Sequence, residues 1–458
     1  MDAYELETVA AEVDELARAL EDERARSVSG VEPEPGIGRL FAARSRAAHR
    51  ETAAALREAG QPELAERVAA LRAERAAAEA EERWRAAEAV ARGAGPDGPA
   101  PLAALELGLL REPDRGRRLA YARAAAEALG PVAAAREAAV EVRARAAAEV
   151  GLAPDWDAVV DGDHVLSASD DAHRDVLAFR ARRDLGLSLA PAGELTRADL
   201  LHLLALRRWD GLFRSGALRA AATATFARLG LDLGRVRVDE GGRPAQWPGV
   251  HRHGARLSFR PRGGAGDWQD LLEGAACAAA AAHAPPHRRD PLLVEALGWL
   301  AGSLLFEERW LGEHADVERR QAPDLIRDLA LRRLFALRAR AAALRVATEV
   351  ERGLSGAAWR NAYRDALTAA TGAAWDEVRA SRDADARAHR AALSGAGAGE
   401  ALRVEVREQF DEDWWRNPRT AAFLAGLLAA GRLHEAEGGA PREPALAARA
   451  LVSRLEGE

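Results

Sequence analysis

Apolar residues recur three and four positions apart along most of the chain, and alternation with a period of two is scarce. Such spacing is typical of helices that bury one face against a core. The pattern predicts a helical block at 169–230 and helices at 3–24, 38–58, 62–92, 114–150, 268–282, 292–312, 322–353, 357–380, 400–413 and 418–431. We therefore predict a mainly α protein.

A short region between 236 and 260 departs from the helical pattern. The stretches VRVDE (236–240) and ARLSF (255–259) alternate apolar and polar residues. Alternation of this kind favours strands. The sequence therefore predicts a very small β element near 236–260 in an otherwise helical fold.

Proline and glycine clusters divide the chain. EPEPG (32–36) and GAGPDGP (93–99) interrupt the first helices, and the small-residue run Ser394–Gly399 predicts a flexible break. The long N-terminal helices carry Ala where a coiled coil needs Leu or Ile, which favours ordinary helix packing. We predict a long-helix region at 1–152 and a second helical domain at 153–458.

Composition and charge narrow the functional classes. The 458 residues suffice for a large core, and 65 basic residues are interspersed with 72 acidic ones, for a net charge of −7. Such a surface has no broad basic face, so we expect no nucleic-acid partner. The chain shows no signal-peptide order and no apolar run of membrane-spanning length, so we expect a cytoplasmic protein without a membrane partner. The single cysteine, Cys277, excludes an internal disulfide.

The segment 255–310 carries the most informative arrangement. A strand-like stretch, a glycine-rich turn, a helix, a proline-rich break and a second helix follow one another. The two helices read DWQDLLEGAACAAAAAHAPP and PLLVEALGWLAGSLLFEERWL. This order resembles the core of the oligoendopeptidase F and thimet oligopeptidase type of zinc metallopeptidase. The resemblance extends over about 165–435 and includes RRWDGLF (207–213) and FDEDWWRNPRTAAFLAGLLAAGRL (410–433).

The resemblance implies a multi-helix metallopeptidase-like fold and peptides as ligands. In that family an HExGH helix supplies two zinc-binding histidines and a general base, and a following helix supplies a third ligand, a glutamate. Glu295 stands where the family has that glutamate, and LLFE (304–307) follows it at the family's usual offset.

The first helix departs from the family's motif. Aligned without gaps from Leu271, Glu273 replaces the first zinc-binding histidine. Gly274 replaces the general base, and Cys277 replaces the second histidine. A glycine side chain cannot accept a proton. The family also uses a histidine and paired tyrosines near its C-terminal side to stabilise the transition state. Here no tyrosine follows Tyr363, so the tyrosine pair is missing as well. We therefore predict a catalytically inactive homologue that keeps peptide or protein binding in the old cleft.

Two other functions stay open. In an active zinc-dependent oligopeptidase with a rearranged metal site, Glu295 would bind zinc together with Glu273, Cys277 or His283. Alternatively, the protein is a helical scaffold or interaction protein that associates through its long N-terminal helices. The sequence does not set the oligomeric state.

The inactive interpretation assigns other roles to the same residues. No cofactor is expected, Glu295 pairs with an arginine in the cleft, and Cys277 is a buried thiol. His251 and His253 alternate as on a strand and share one face. Together with His389 they are the candidate cleft residues, and the expected partner is a peptide or a protein.

Overall fold

The computed structural model describes residues 3–31, 36–151, 160, 162–188, 195–433 and 443–457. Helices dominate these residues and the strands are short, so the predicted mainly α fold with a small β element near 236–260 is confirmed. The predicted boundary at 152–153 lies outside the described residues, and the division into two domains stays a prediction. No helix in the described part of the chain combines the length and apolar character needed to cross a bilayer.

The described residues up to 151 form six α-helices. In chain order, α1 to α6 span Ala3–Val28, Ile37–Ala43, Arg50–Glu58, Pro62–Val90, Leu102–Arg111 and Arg115–Glu149. The predicted helix at 38–58 is divided by a 3₁₀ turn at Ser45–Ala48. The other three predictions in this region match α1, α4 and α6 to within a few residues at each end.

The described residues from 162 onward form twelve more α-helices. In chain order, α7 to α18 span Gly162–Ser167, Asp170–Leu185, Arg197–Leu204, Ser215–Arg228, Ala265–His283, Pro291–Gly302, Glu308–His314, Ala322–Glu351, Gly356–Thr371, Ala386–Phe410, Pro418–Ala430 and Pro444–Glu456. The predicted helix at 292–312 is divided by a 3₁₀ turn at Ser303–Phe306. The last helix, α18, was not predicted.

Five strands form two small sheets in the described residues. Strands β1 to β5 span Arg92–Gly95, Gly98–Pro101, Arg237–Asp239, Gly249–His253 and Arg256–Arg260. β1 and β2 form a hairpin within a segment predicted only as a break. In the second sheet β5 is central, antiparallel to β4 and parallel to β3.

The first helix is attached to the region of the second sheet by polar contacts. The backbone N–H of Trp247 donates to the carbonyl of Val28 at 3.0 Å. Asp14 accepts from the backbone N–H of His287 at 3.0 Å, and its carboxylate lies 2.9 Å from the imidazole Nδ1. These bonds join residues more than 200 positions apart, so they fix α1 against the part of the chain that carries α11 and α12.

The main core surrounds α11, α12 and α14 and is rich in tryptophan. Phe213 packs edge-to-face on Trp268 at 5.4 Å, and Trp268 packs in the same way on Trp310 at 6.1 Å. Trp414 and Trp415 are also fully buried in this core. Edge-to-face aromatic pairs add about 0.5–1.5 kcal/mol each beyond the area they bury. The aromatic contacts therefore hold α11 firmly in place.

The small-residue run Ser394–Gly399 is not a break, because it lies in the middle of α16. A Cβ atom on Gly399 would stand 2.7 Å from the carbonyl oxygen of Ala296, and one on Gly395 would overlap Glu295. Glycine is needed where two backbones approach this closely. The run therefore serves the crossing of α12 and α16, and it positions Glu295.

Replacing Gly399 by alanine should lower the free energy of unfolding. The added methyl group would lie 2.6 Å from the Cβ of Trp299, so the helices must separate. Overpacking of this kind costs about 1–3 kcal/mol.

Gly426→Ala in α17 is the matched control, because a Cβ atom added there would have no neighbour within 4 Å. At that position, helix propensity alone should stabilise by up to about 1 kcal/mol. Urea unfolding measures both variants, and equal effects would contradict the close crossing.

Candidate functional site around Glu295 and Arg252

The beginnings of α11 and α12 are set by local sequence. The carboxylate of Asp267 accepts from the backbone N–H groups of Arg262 and Gly263 at 2.8 and 2.7 Å, which ties the glycine-rich turn to the first turn of α11. Asp290 caps α12 by accepting from the N–H of Leu292 at 2.9 Å. A proline follows directly at the first helical position, where it is favoured.

A cavity of about 590 Å³ lies between the N-terminal helices and the second half of the chain. Helices α4 and α6 line it together with β4 and the ends of α12, α14 and α16. Alanines make up much of the wall, and Arg252 and Glu295 both line it. The volume is within the range of ligand-binding pockets, about 300–1,000 Å³. This cavity is the candidate functional site, and we call it the large cavity to distinguish it from a smaller one of about 250 Å³ that Glu273 lines.

Glu295 is paired with an arginine, as the sequence analysis expected. The guanidinium Nη2 of Arg252 donates to Oε1 of Glu295. Arg252 comes from β4 and Glu295 from the second turn of α12, so the pair joins the sheet to the helix. The side chains are 28% and 21% exposed, so the pair faces the cavity without being fully solvated.

Glu273 lines a second cavity of about 250 Å³, not the first one. Its Oε1 lies 2.9 Å from Nη2 of Arg333, whose guanidinium stacks 3.5 Å from the centre of the Trp299 ring. Burial raises the pKa of Glu273 and lowers the pKa of Arg333 to about 10. The two carboxylates that the sequence suggested as zinc ligands are therefore held by different arginines in different cavities.

Gly274 and Cys277 are packed against neighbouring elements. A Cβ atom on Gly274 would stand 2.6 Å from Cγ1 of Val250, so β4 covers this position. Cys277 is buried where α11 crosses α12, and a Cβ atom on Gly298 would overlap its sulfur. Burial raises the pKa of the thiol to about 12. A thiol with so high a pKa is a poor nucleophile at neutral pH.

The sequence-predicted histidines lie outside the wall of the large cavity. His251 and His253 occupy the face of β4 opposite Val250 and Arg252, as strand alternation requires. Burial lowers the pKa of His251 to about 4, with help from Arg382, and that of His253 to about 3. A ring nitrogen of the third histidine, at position 389, lies 2.9 Å from the carbonyl oxygen of residue 383.

The donors do not fit a zinc ion. Zinc needs three or four ligands that converge at about 2.0–2.3 Å. Glu273 and Glu295 are held apart by their arginines, Cys277 is enclosed between two helices, and His283 is exposed at the end of α11. Among the described residues, no group of three or more His, Cys, Asp or Glu side chains is placed to hold a metal ion.

Sequence reasoning missed the arginines of the large cavity. Arg143 in α6 and Arg387 in α16 line it together with Arg252, although they come from widely separated segments. The 65 basic residues are spread along the whole chain, so no local pattern distinguishes these three. Only the packing of the helices brings them together.

The comparisons with known proteins find similarity only at the level of structure. No known family profile and no curated protein matches the sequence. A protein described as an oligoendopeptidase F from Bacillus anthracis str. Ames matches with a TM-score of 0.54 and 13% identity, over 100% of this chain and 86% of that chain. The structure of PZ peptidase A with an inhibitor matches with a TM-score of 0.56 and 13% identity, over 92% of this chain and 84% of that chain.

A further structure described as an oligoendopeptidase F matches with a TM-score of 0.57 and 13% identity, over 92% of this chain and 84% of that chain. Similarity at such low identity shows a shared fold, and function must be argued from the site. The peptidase-like fold that the sequence resemblance implied is therefore confirmed.

Gly274→Ala tests whether β4 covers the position where the resemblance expects a general base. We expect it to destabilise by about 1–3 kcal/mol through overpacking against Val250, although alanine is the better helix former. In a Val250→Ala background the same change should be neutral or stabilising. Urea unfolding of the four proteins gives the coupling energy, and additive effects would show that the two positions do not touch.

Acid should destabilise the protein through His251 and His253. Their pKa values in the folded state, about 4 and about 3, lie below the reference value of 6.5, so at intermediate pH the unfolded chain binds protons that the folded chain does not. The free energy of unfolding should therefore fall as the pH decreases through this interval, by up to about 1.4 kcal/mol per pH unit for each imidazole.

His253→Gln should reduce that slope, as measured by urea unfolding between about pH 4.5 and 8. Near pH 8, well above the reference value of 6.5, neither state binds a significant fraction of a proton at these groups, so the slopes of parent and variant should coincide there and serve as an internal control. Equal slopes at low pH would refute the buried neutral imidazole.

Proposed function

We propose that this protein is a catalytically inactive relative of the zinc metallo-oligopeptidases that binds peptides in the large cavity. One observation carries the proposal: the carboxylate of Glu295, at the position of the family's third zinc ligand, accepts from Arg252 instead. A guanidinium beside this carboxylate repels a metal cation and occupies the oxygen that would bind it.

The neighbouring positions support an inactive site. Water activation needs a base within hydrogen-bond reach of the water, and Gly274 has no side chain that accepts a proton. Cys277 cannot take over as a nucleophile, because its pKa of about 12 keeps it protonated at neutral pH. Glu273 is held by Arg333 in the other cavity, so it does not face a peptide bound beside Glu295.

Peptide binding is supported by the character of the cavity wall. Alanines leave room for backbone and small side chains, and their methyl groups favour apolar contacts. The wall also contains arginine donors and carboxylate acceptors, which can form hydrogen bonds with the C=O and N–H groups of a peptide. The matched structures are peptidases, which makes a peptide the natural ligand by analogy of fold.

Metal content and hydrolysis test the inactive site. After incubation with zinc, protein purified without a metal-affinity tag should retain less than about a tenth of an equivalent. It should leave a mixed peptide pool uncut, as followed by mass spectrometry. Glu295→Ala is the control and should give the same result. About one equivalent of zinc that Glu295→Ala abolishes, together with chelator-sensitive hydrolysis, would instead establish an active peptidase with a rearranged site.

A further inference from the structure

In the large cavity the carboxylates have hydrogen-bond partners among the described residues, but some of the arginines do not. Its wall carries five arginines and four carboxylates: Arg67, Arg143, Arg252, Arg352, Arg387, Glu74, Glu295, Glu351 and Asp385. Every carboxylate has a partner. Glu74 accepts from Arg24 at 2.8 Å and Glu351 from Arg390 at 2.9 Å. Asp385 accepts from the N–H of Ala388 at 3.1 Å, and Glu295 accepts from Arg252.

Two of the arginines have no such partner. Among the residues that the structure describes, Arg143 and Arg387 have no hydrogen-bond partner and no carboxylate within ion-pair distance. Each interacts electrostatically at longer range with a carboxylate of the cavity, Arg143 with Asp385 and Arg387 with Glu351. Arg143 projects from α6 and Arg387 from the first turn of α16, so two different helices bring them to the cavity. Arg67 contributes a buried Nε–H that also lacks a partner among the described residues. The cavity therefore offers more donors than its own acceptors can use.

Arg252 retains most of its donor capacity as well. Its guanidinium has five N–H donors, and the bond to Glu295 uses one of them. The planar fork of a guanidinium matches a carboxylate with two parallel bonds. Glu295 fixes the side chain in place, so little conformational entropy is lost when a ligand binds to the remaining donors.

We infer that the cavity recognises a peptide by a carboxylate, with the C-terminal carboxylate as its source, through Arg252, Arg143 and Arg387. The inference rests on the proposed function and names the chemical group that this site selects. The resemblance expects a metal cation beside Glu295, and here the chain supplies its own cation. A cavity of about 590 Å³ holds a short peptide end, and the terminus is the one place where every peptide carries a carboxylate.

Isothermal titration calorimetry at low salt with three synthetic peptides shows whether the cavity recognises a carboxylate and whether that carboxylate must be the C-terminal one. The first is N-acetylated tetra-alanine with a free C-terminus, the second is its C-terminal amide, and the third is the amide with one internal aspartate. We expect the free acid to bind at least about tenfold more tightly than the plain amide, since charge-assisted bonds to arginine are the strong ones. Added salt should reduce this preference.

Arg143→Gln should bring the affinities of acid and amide to within about threefold of each other, because the carboxylate then loses one of its charge-assisted contacts. Arg145→Gln is the matched control, because Arg145 is exposed on the same helix and does not line the cavity. It should keep the preference. Arg252→Gln is a second test of the same arrangement, should Arg143→Gln fold poorly.

Each result has a defined meaning. Equal affinity for acid and plain amide overturns carboxylate recognition and leaves peptide binding intact. If the aspartate-containing amide binds as tightly as the acid, carboxylate recognition stands but the terminus is overturned as its source. If none of the three peptides binds while the protein is folded, the proposed function itself fails.

Discussion

The structure depends on the packing of α12 at backbone-contact distance between α11 and α16. Gly298 allows the approach to Cys277 on one side, and Gly399 allows the approach to Ala296 on the other. Interiors of proteins are packed as densely as organic crystals, so a helix enclosed in this way has no freedom to rotate or shift. Glu295 projects from this helix, and its position relative to β4 is therefore set by the core and not by the residues of the cavity.

Arginine side chains form ion pairs with the carboxylates beside this core. Arg252 pairs with Glu295 and Arg333 with Glu273, and none of the four side chains is more than 33% exposed. A buried ion pair contributes little net stability, but removing one partner leaves a charge that is costly to bury. The consequence is a constraint on sequence: changing one partner of either pair alone should lower the stability of the fold more than changing both.

Much of the fold could be predicted because helical periodicity is a local signal, and the strands near 236–260 were visible for the same reason. The prediction failed where the same local sequence pattern is compatible with two different structures. Glycines at 394–399 weaken an isolated helix, but they also allow a close crossing, and only the contact with α12 decides between the two. In the site, the pairing of Glu295 with an arginine was predictable from the cost of an unpaired charge. The identity of Arg252 was not, since the two residues lie 43 positions apart on different elements.

The contact between Gly274 and Val250 limits which substitutions the helix α11 can accept one at a time. A glutamate at 274 would collide with β4 until Val250 became smaller, and a histidine at 277 would press on α12 at Gly298. A single larger side chain at either position should therefore lower stability unless the neighbouring residue becomes smaller at the same time. The close packing of α11 against β4 and α12 thus restricts positions 274 and 277 to small side chains, and a larger residue can enter only as part of a double substitution.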